Sequence, residues 1–411
     1  MDRDITILRR LAAQYAEIAA LPVQQERRAL WRAHNSRRIL YRPVLLRFGY
    51  WNAWAKAYFA DERMECQDPF WRTWERTMRI ALFHHACGDD QILEPWLTMR
   101  AHLYLPPAGP WGVPYNHIQP DTPNGAWQFA PALKRWEDAV KLVAAPHRID
   151  EVATLRDYDR LLSAIGHLIT IDVDRSPLLS FWDADFSYPL AQLRGLNQMM
   201  LDMADSPIEL HHLLSFMQRA VLDNQAAAEV AGDLSLSNSY NQEMPYCEEL
   251  ATPQANIKGQ QRSQLWYFCA AQECTSISPR MFEEFIVHYQ RPIVEHYGLL
   301  AYGCCEDLTH KIDVLRQIRN LRVIAVTPRA DVARCAAQIG TDYVISWRPN
   351  PTDMVCGDFS QSKVQSNLRE ELTKLRGCYT HILLKDVEDV GEDVTRLGRW
   401  VNWAREEAAE A

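Results

Sequence analysis

From residue 265 to the C-terminus, short apolar runs alternate with amphipathic stretches, and nothing else in the sequence restricts the fold as much. Strands are expected at Leu265–Gln272, Leu299–Cys304, Val323–Thr327, Tyr343–Trp347 and His381–Lys385. Helices are expected between them: Pro279–Tyr297, Thr309–Ile318, Ala330–Ile339, Ser360–Arg376 and a last one from Asp393. Ser278 suits the N-cap and Pro279 the first turn of the first helix, and Gly340 suits the end of the third. Strand–helix–strand repetition gives parallel neighbours joined by crossover helices. An open doubly wound sheet and a closed (β/α)8 TIM barrel both meet that pattern. No GxGxxG follows a strand and no GxxxxGK[ST] occurs, so the dinucleotide and P-loop forms lose support. Polar residues gather where each strand ends: Gln272-Glu273, Cys304-Cys305-Glu306, Thr327-Pro328-Arg329, Arg348-Pro349-Asn350 and Lys385-Asp386. In a barrel these ends share the face on which active sites are built, so the α/β barrel is the expected fold.

The first half is less regular. Residues 3–34 read as helix, with Leu8, Leu11, Tyr15, Ile18 and Leu21 near one face, and Tyr41–Gly49 as a buried strand. Residues 51–104 read as helix-rich, 105–135 as a long loop, 136–165 as helix and Leu178–Phe186 as a strand. Pro207–Ala231 reads as a long helix capped by Ser206. The expected organisation is an N-terminal helical extension over 1–40 and a barrel with long inserted loops over 41–411.

At 411 residues, 47% hydrophobic and 24% charged, the chain has ordinary globular composition. A net charge of -9 gives no basic footprint for nucleic acid. The opening MDRDITILRRLAAQYAEIAAL lacks the apolar core of a signal peptide, and no apolar run is long enough to span a bilayer, so a cytoplasmic protein is expected. The ten cysteines include no CxxC pair, and most are expected to be small core residues. The fourteen tryptophans read either as packing or as an aromatic wall around a flat ligand, packing being favoured. His84-His85 and His211-His212 read as structural, because adjacent residues diverge on a helix.

The segment LLAYGCCEDLTH, Leu299 to His310, concentrates chemistry. On a strand Tyr302, Cys304 and Glu306 share a face. A thiol, a carboxylate and a phenol at a buried strand end can bind a soft metal, supply a nucleophile and base, or hold a polar ligand. Arg329 and Arg348 at neighbouring strand ends can hold a carboxylate or phosphate, or pair with local acids. In LSLSNSYNQEMPYCEEL, residues 234–250, Asn241 and Glu243 read either as small-molecule contacts or as members of a surface turn.

The chain resembles the uroporphyrinogen decarboxylase superfamily over roughly residues 40–405. SPRMFEEFIVHYQRPIVEHYG, LLAYGCCED, NLRVIAV and IGTDYVISWRP follow that family's order around its later strands. DMADSPIELHHLLSFM and the opening RPVLLRFG are also similar to its segments. The resemblance implies one of two activities. Decarboxylases of the family act on acidic porphyrinogens without a cofactor and carry paired arginines after the first strand, where this chain has Arg47 alone. Methyltransferases of the family move a methyl group between a corrinoid protein and a thiol or related acceptor, and bind zinc through His-x-Cys and a later cysteine. Here Tyr302-Gly303-Cys304 stands in the first register and Asp386 in the second. The GCCE pattern places the chain nearer this branch, with Cys304, Cys305, Glu306 and His310 as implied zinc ligands. Cys304, Glu306 and Asp386 are the implied catalytic residues. Arg47, Asn241, Glu243, Gln272, Tyr302, Arg329 and Arg348 are the candidate substrate contacts. A corrinoid protein is the implied partner, and a homodimer is expected by analogy. The rival readings are a cofactor-free decarboxylase of a polycarboxylate and a tetrapyrrole- or corrinoid-binding protein.

Overall fold

The computed structural model describes residues 2–49, 51–122, 127–355 and 359–410. Cys356 lies outside them. Eight of its strands run parallel to their partners: β1 Val44–Arg47, β2 Trp96–Arg100, β3 Thr170–Asp174, β4 Trp266–Cys269, β5 Leu299–Tyr302, β6 Leu321–Val326, β7 Val344–Trp347 and β8 Tyr379–Lys385. Six form one sheet in the order β1-β8-β7-β6-β5-β4, and β2 pairs with β3 alone. A short antiparallel pair, Asn116–Ile118 with Gln128–Ala130, lies apart.

The six-stranded parallel sheet forms a curled half-barrel, which is part of the expected barrel. Full closure in chain order requires β1–β2 and β3–β4 ladders as well, and neither is among the sheet pairings of the described residues. Side chains occupy both seams. At the first, the β1 amides of Val44 and Leu46 donate to the carboxylates of Asp90 and Asp89 at 2.8 and 3.1 Å. At the second, the Trp266 amide donates to Ser239 Oγ at 3.0 Å, while Asp172 and Asp174 of β3 accept from the Asn256 amide and Asn238 Nδ2. Carboxylates and hydroxyls thus pair the edge groups that a neighbouring strand would otherwise cover.

The strands of the large sheet are buried on both faces, as parallel strands covered by helices must be. One face, with Leu46, Tyr267, Leu300, Ile324, Ile345 and Ile382, packs under helices such as Pro207–Val230 and Val332–Ile339. The other gathers Trp266, Phe268, Leu299, Ala301, Val323 and Val344 around residues 240–250. That segment runs along the concave face of the sheet. The N-terminal helix Asp2–Ala19 packs Leu8, Leu11 and Tyr15 against Trp71, Trp74 and Leu161 in a second core that includes β2 and β3. The helix Pro22–Asn35 ends inside the sheet, where Asn35 Nδ2 donates to the carbonyls of Met244 and Tyr246.

Several local expectations also change. Phe181–Ala184, inside the expected strand 178–186, is a 3-10 turn with Phe181 and Phe186 at positive φ. β2 lies where residues were expected to be helix-rich, and β3 lies in a stretch, 166–177, for which no element was expected. The 279–297 helix holds a π-turn at Glu283–Val287, ahead of Pro292. Ser278 caps it through Met281 N, whereas Ser206 makes no side-chain cap. Among the described residues no helix is long and apolar enough to cross a membrane.

Candidate functional site

Beyond the C-terminal ends of β5, β6, β7 and β8 lies a cavity of about 630 Å³. Cys304, Cys305, Arg329, Arg348, Lys385 and Asp386 line it, with Gln272 at its edge. A second cavity of about 390 Å³ shares Arg348 and Asn350, but no thiol among the described residues lines it.

Gly303 sets the geometry. Its φ of +106 ends the strand alternation just after Tyr302. Tyr302 therefore keeps its outward direction, donating to Gln290 Oε1 at 2.7 Å beneath the helices, while Cys304 turns to the concave face. The expectation that Tyr302 shares the Cys304 face fails for this reason. A Cβ at Gly303 would lie 2.8 Å from both Ala325 Cβ and Leu308 Cδ1. Only glycine gives both this conformation and this clearance.

Cys304 is 5% exposed and Cys305 opens to the surface. Their sulfurs are 3.5 Å apart, and the Lys385 ammonium lies 3.1 Å from each. Lys385 is 8% exposed, and Asp386 Oδ2 stands 3.3 Å from its Nζ. The hydrogen bond from Cys305 to Cys304, joined by the Lys385 and Arg348 charges, outweighs burial and brings the Cys304 thiol down to about 6. The same hydrogen bond, with burial, pushes Cys305 up. Burial and Arg348 pull the Lys385 ammonium down, the two sulfurs and Asp386 pull it up, and the upward pull prevails.

Arg348 is 2% exposed. One of its terminal nitrogens donates to Gln242 Oε1 at 2.5 Å and to the Gly303 carbonyl at 3.0 Å. Its Nε and Nη1 are buried without a hydrogen-bond partner among the described residues. Arg348 also lines the cavity, and a guanidinium there suits an oxyanion. Behind Arg348 a polar chain crosses the concave face. Glu243 lies 3.8 Å from it, accepts from Ser346 Oγ at 2.9 Å and stands 3.6 Å from the His381 ring, which meets His34 at 3.2 Å. Burial pushes the Glu243 carboxyl up, but His381, Arg348 and Ser346 outweigh it and hold it below its usual range.

The remaining candidates fall elsewhere. Glu306 is buried, and its carboxylate oxygens accept from the amides of Ala271 at 2.8 Å and Cys304 at 2.7 Å, so it braces the turn. His310 is exposed and outside the cavity lining. Among the described residues no group of three or more His, Cys, Asp or Glu side chains converges as a metal site. The implied zinc set thus does not fit, since one carboxylate is engaged by backbone amides and His310 lies outside the cavity lining. Arg47 donates to Tyr240 Oη and the Gln242 carbonyl, which fixes residues 240–242. Asn241 bonds within its own turn, to the Met244 carbonyl and the Glu243 amide. No tryptophan lines the large cavity, and Trp31, Trp71, Trp74 and Trp111 are core residues.

Lys385 and Gln242 were not singled out from the sequence. Lys385 was legible as the last inward position of His381–Leu383–Lys385. Gln242 was not, because its direction follows from the path of residues 240–246 across the sheet. No protein-family model matches the chain, and no curated protein matches it.

Proposed function

We propose that this chain is a thiolate-dependent enzyme that transfers a methyl group at Cys304 and acts on a small anionic molecule. The observation that carries the reading is the Lys385 ammonium 3.1 Å from both sulfurs. An adjacent cation and a hydrogen-bond donor keep the sulfur deprotonated and nucleophilic without a metal. In the step, the Cys304 sulfur attacks an electrophilic methyl carbon in line. The S–C bond forms as the bond from that carbon to its donor breaks, and the donor keeps the electron pair. Arg348, which lines the cavity, supplies the positive charge that holds an oxyanion of the substrate, and Lys385 balances the charge on sulfur. A corrinoid protein as the methyl donor's carrier fits the resemblance and is part of the proposal. The zinc-assisted form is set aside, because its four residues do not converge.

The test incubates the full chain with methylcobalamin under anaerobic, reducing conditions and follows the cobalamin spectrum. Peptide mass analysis at Cys304 accompanies it. Cys304-dependent loss of the methylcobalamin band, absent in Cys304→Ser, supports the reading. An unchanged spectrum together with no methylated Cys304 overturns it.

The Arg348 guanidinium in the cavity wall favours a second reading, cofactor-free decarboxylation of a polycarboxylate. There a carboxylate leaves as carbon dioxide and the carbanion left behind takes a proton from Lys385. Carbon dioxide release from a polycarboxylate that survives Cys304→Ser but not Arg348→Lys would select it.

A further inference from the structure

We infer that Cys304 and Cys305 form a two-thiol chelating site for a three-coordinate thiophilic centre, of which a trivalent organoarsenical is the representative ligand. The inference concerns the same sulfurs as the proposed function but does not depend on methyl transfer.

The geometry argues for a bridging centre over a disulfide. The sulfurs are 3.5 Å apart, far beyond the ~2.05 Å of an S–S bond. Their Cα atoms are one peptide apart, ~3.8 Å, under the ~4.4 Å lower end for unstrained disulfides. Closing that bond would strain the backbone, whereas an ion spanning the pair needs no closure. With sulfur–ion bonds of ~2.3 Å, a 3.5 Å bite subtends an angle of roughly 100° at the centre. That is the angle of a pyramidal three-coordinate centre and is narrower than a tetrahedral one. Structural zinc takes four protein ligands, and no third His, Cys, Asp or Glu converges here among the described residues. An organoarsenical brings its third substituent with it.

Access and charge fit as well. Cys305 is exposed at the rim and Cys304 lines the cavity, so a ligand can meet the outer thiol first and close onto the inner one. In the exchange R–As(OH)2 loses two hydroxyl groups, which leave as waters by taking the Cys305 proton and one further proton, from the Cys304 thiol or, where that sulfur is already thiolate, from solvent. Two As–S bonds form and two waters leave, with no oxidation. Lys385 is not orphaned when the sulfurs bind, because Asp386 remains 3.3 Å away. Soft thiolate pairs select such centres over hard cations.

The test uses phenylarsine oxide on the full chain, kept reduced by a monothiol. Wild type is expected to retain one equivalent through desalting and to release it to a dithiol. Cys304→Ser and Cys305→Ala should each retain none. Iodoacetamide labelling of Cys304 at pH 9 in the Cys305→Ala protein checks that the site is still built. Failure of wild type to retain the probe, or full retention in labelled-competent Cys305→Ala, overturns the inference. Retention without methylcobalamin turnover leaves the chelating site standing and removes the methyl-transfer reading; turnover without retention does the reverse.

Discussion

Lys385 Nζ lies 3.1 Å from Cys304 Sγ although the strands that carry them, β8 and β5, are separated in the sheet by β7 and β6. At ~4.8 Å per strand, a flat sheet would hold their ends ~14 Å apart. The curl of the sheet closes that distance, so the cation–thiolate pair depends on the fold as a whole and on no local motif. The same curl brings Arg348, at the end of β7, against Gly303 and Gln242. A sheet that curls without completing its ladder still builds a barrel-like mouth, because only the six strands β1 and β4–β8 need to be contiguous.

The Cys304 thiol is expected to titrate far below an ordinary cysteine. Its alkylation by iodoacetamide should rise with pH to a midpoint near 6. Lys385→Met removes the charge that faces both sulfurs, and the midpoint should rise by at least about one unit, a loss of roughly fivefold in reactivity at pH 6. The readout is the pH profile of labelling, followed by peptide mass analysis. Coincident profiles for the two proteins would remove Lys385 from the account.

Arg348 is expected to set anion affinity. Citrate should protect Cys304 from iodoacetamide in wild type. Arg348→Lys keeps the charge but loses the guanidinium fork. Protection should then need about tenfold more citrate, an affinity change of ~1.4 kcal/mol. Equal protection in both proteins would place the anion elsewhere.

What the sequence revealed and what it hid have physical causes. β4 to β8 are legible because each is an apolar run bounded by glycine, proline or polar residues, and their positions lie within a few residues of expectation. TIDVD in β3 and WLTMR in β2 carry charge and threonine on a two-stranded pair, so no apolar run marks them. LLSFWDADF is apolar because its aromatics pack between elements, with Phe181 beside Tyr240 and Tyr267. At the site, Cys304 and Arg348 were readable from their places at strand ends. The direction of Tyr302 was not, because the parity argument assumes an unbroken strand and Gly303 breaks it. Glu306 was readable as important and not as structural, since its partners are backbone amides that a sequence does not display.

Gly303→Ala should be destabilising out of proportion to its size. The substitution forces a side chain into positive φ and places its Cβ against Ala325 and Leu308 at 2.8 Å. Together these predict a loss of ~1–3 kcal/mol, read from the midpoint of urea unfolding. The Cys304 labelling midpoint should move as well, because the Gly303 carbonyl is one of the acceptors that hold Arg348 in place. An unfolding midpoint within error of wild type would show that the turn relaxes freely.

His34 is expected to make the fold acid-sensitive. It is fully buried, its ring meets His381 at 3.2 Å, and burial followed by the His381 charge holds its pKa well below the ordinary value. Facing groups from every packed element matter here: Trp31 lies edge-on to both rings, and Glu243 stands beyond His381. A base whose folded pKa is depressed contributes stability that is complete above its unfolded value of ~6.5 and is lost as pH falls toward the folded value. Between pH 6.5 and 5 the wild-type unfolding free energy should therefore decline, with His34 contributing up to ~1.4 kcal/mol per pH unit. His34→Gln removes the titrating ring while leaving an amide that can still bond to His381. Its stability at pH 7.5 is expected to be lower than wild type, but its slope below pH 6.5 should be shallower by about that amount. The measurement is urea unfolding at a series of pH values for both proteins. Parallel slopes would mean that the buried imidazole pair does not titrate with unfolding, and that the acid sensitivity belongs to the carboxylates at the strand edges.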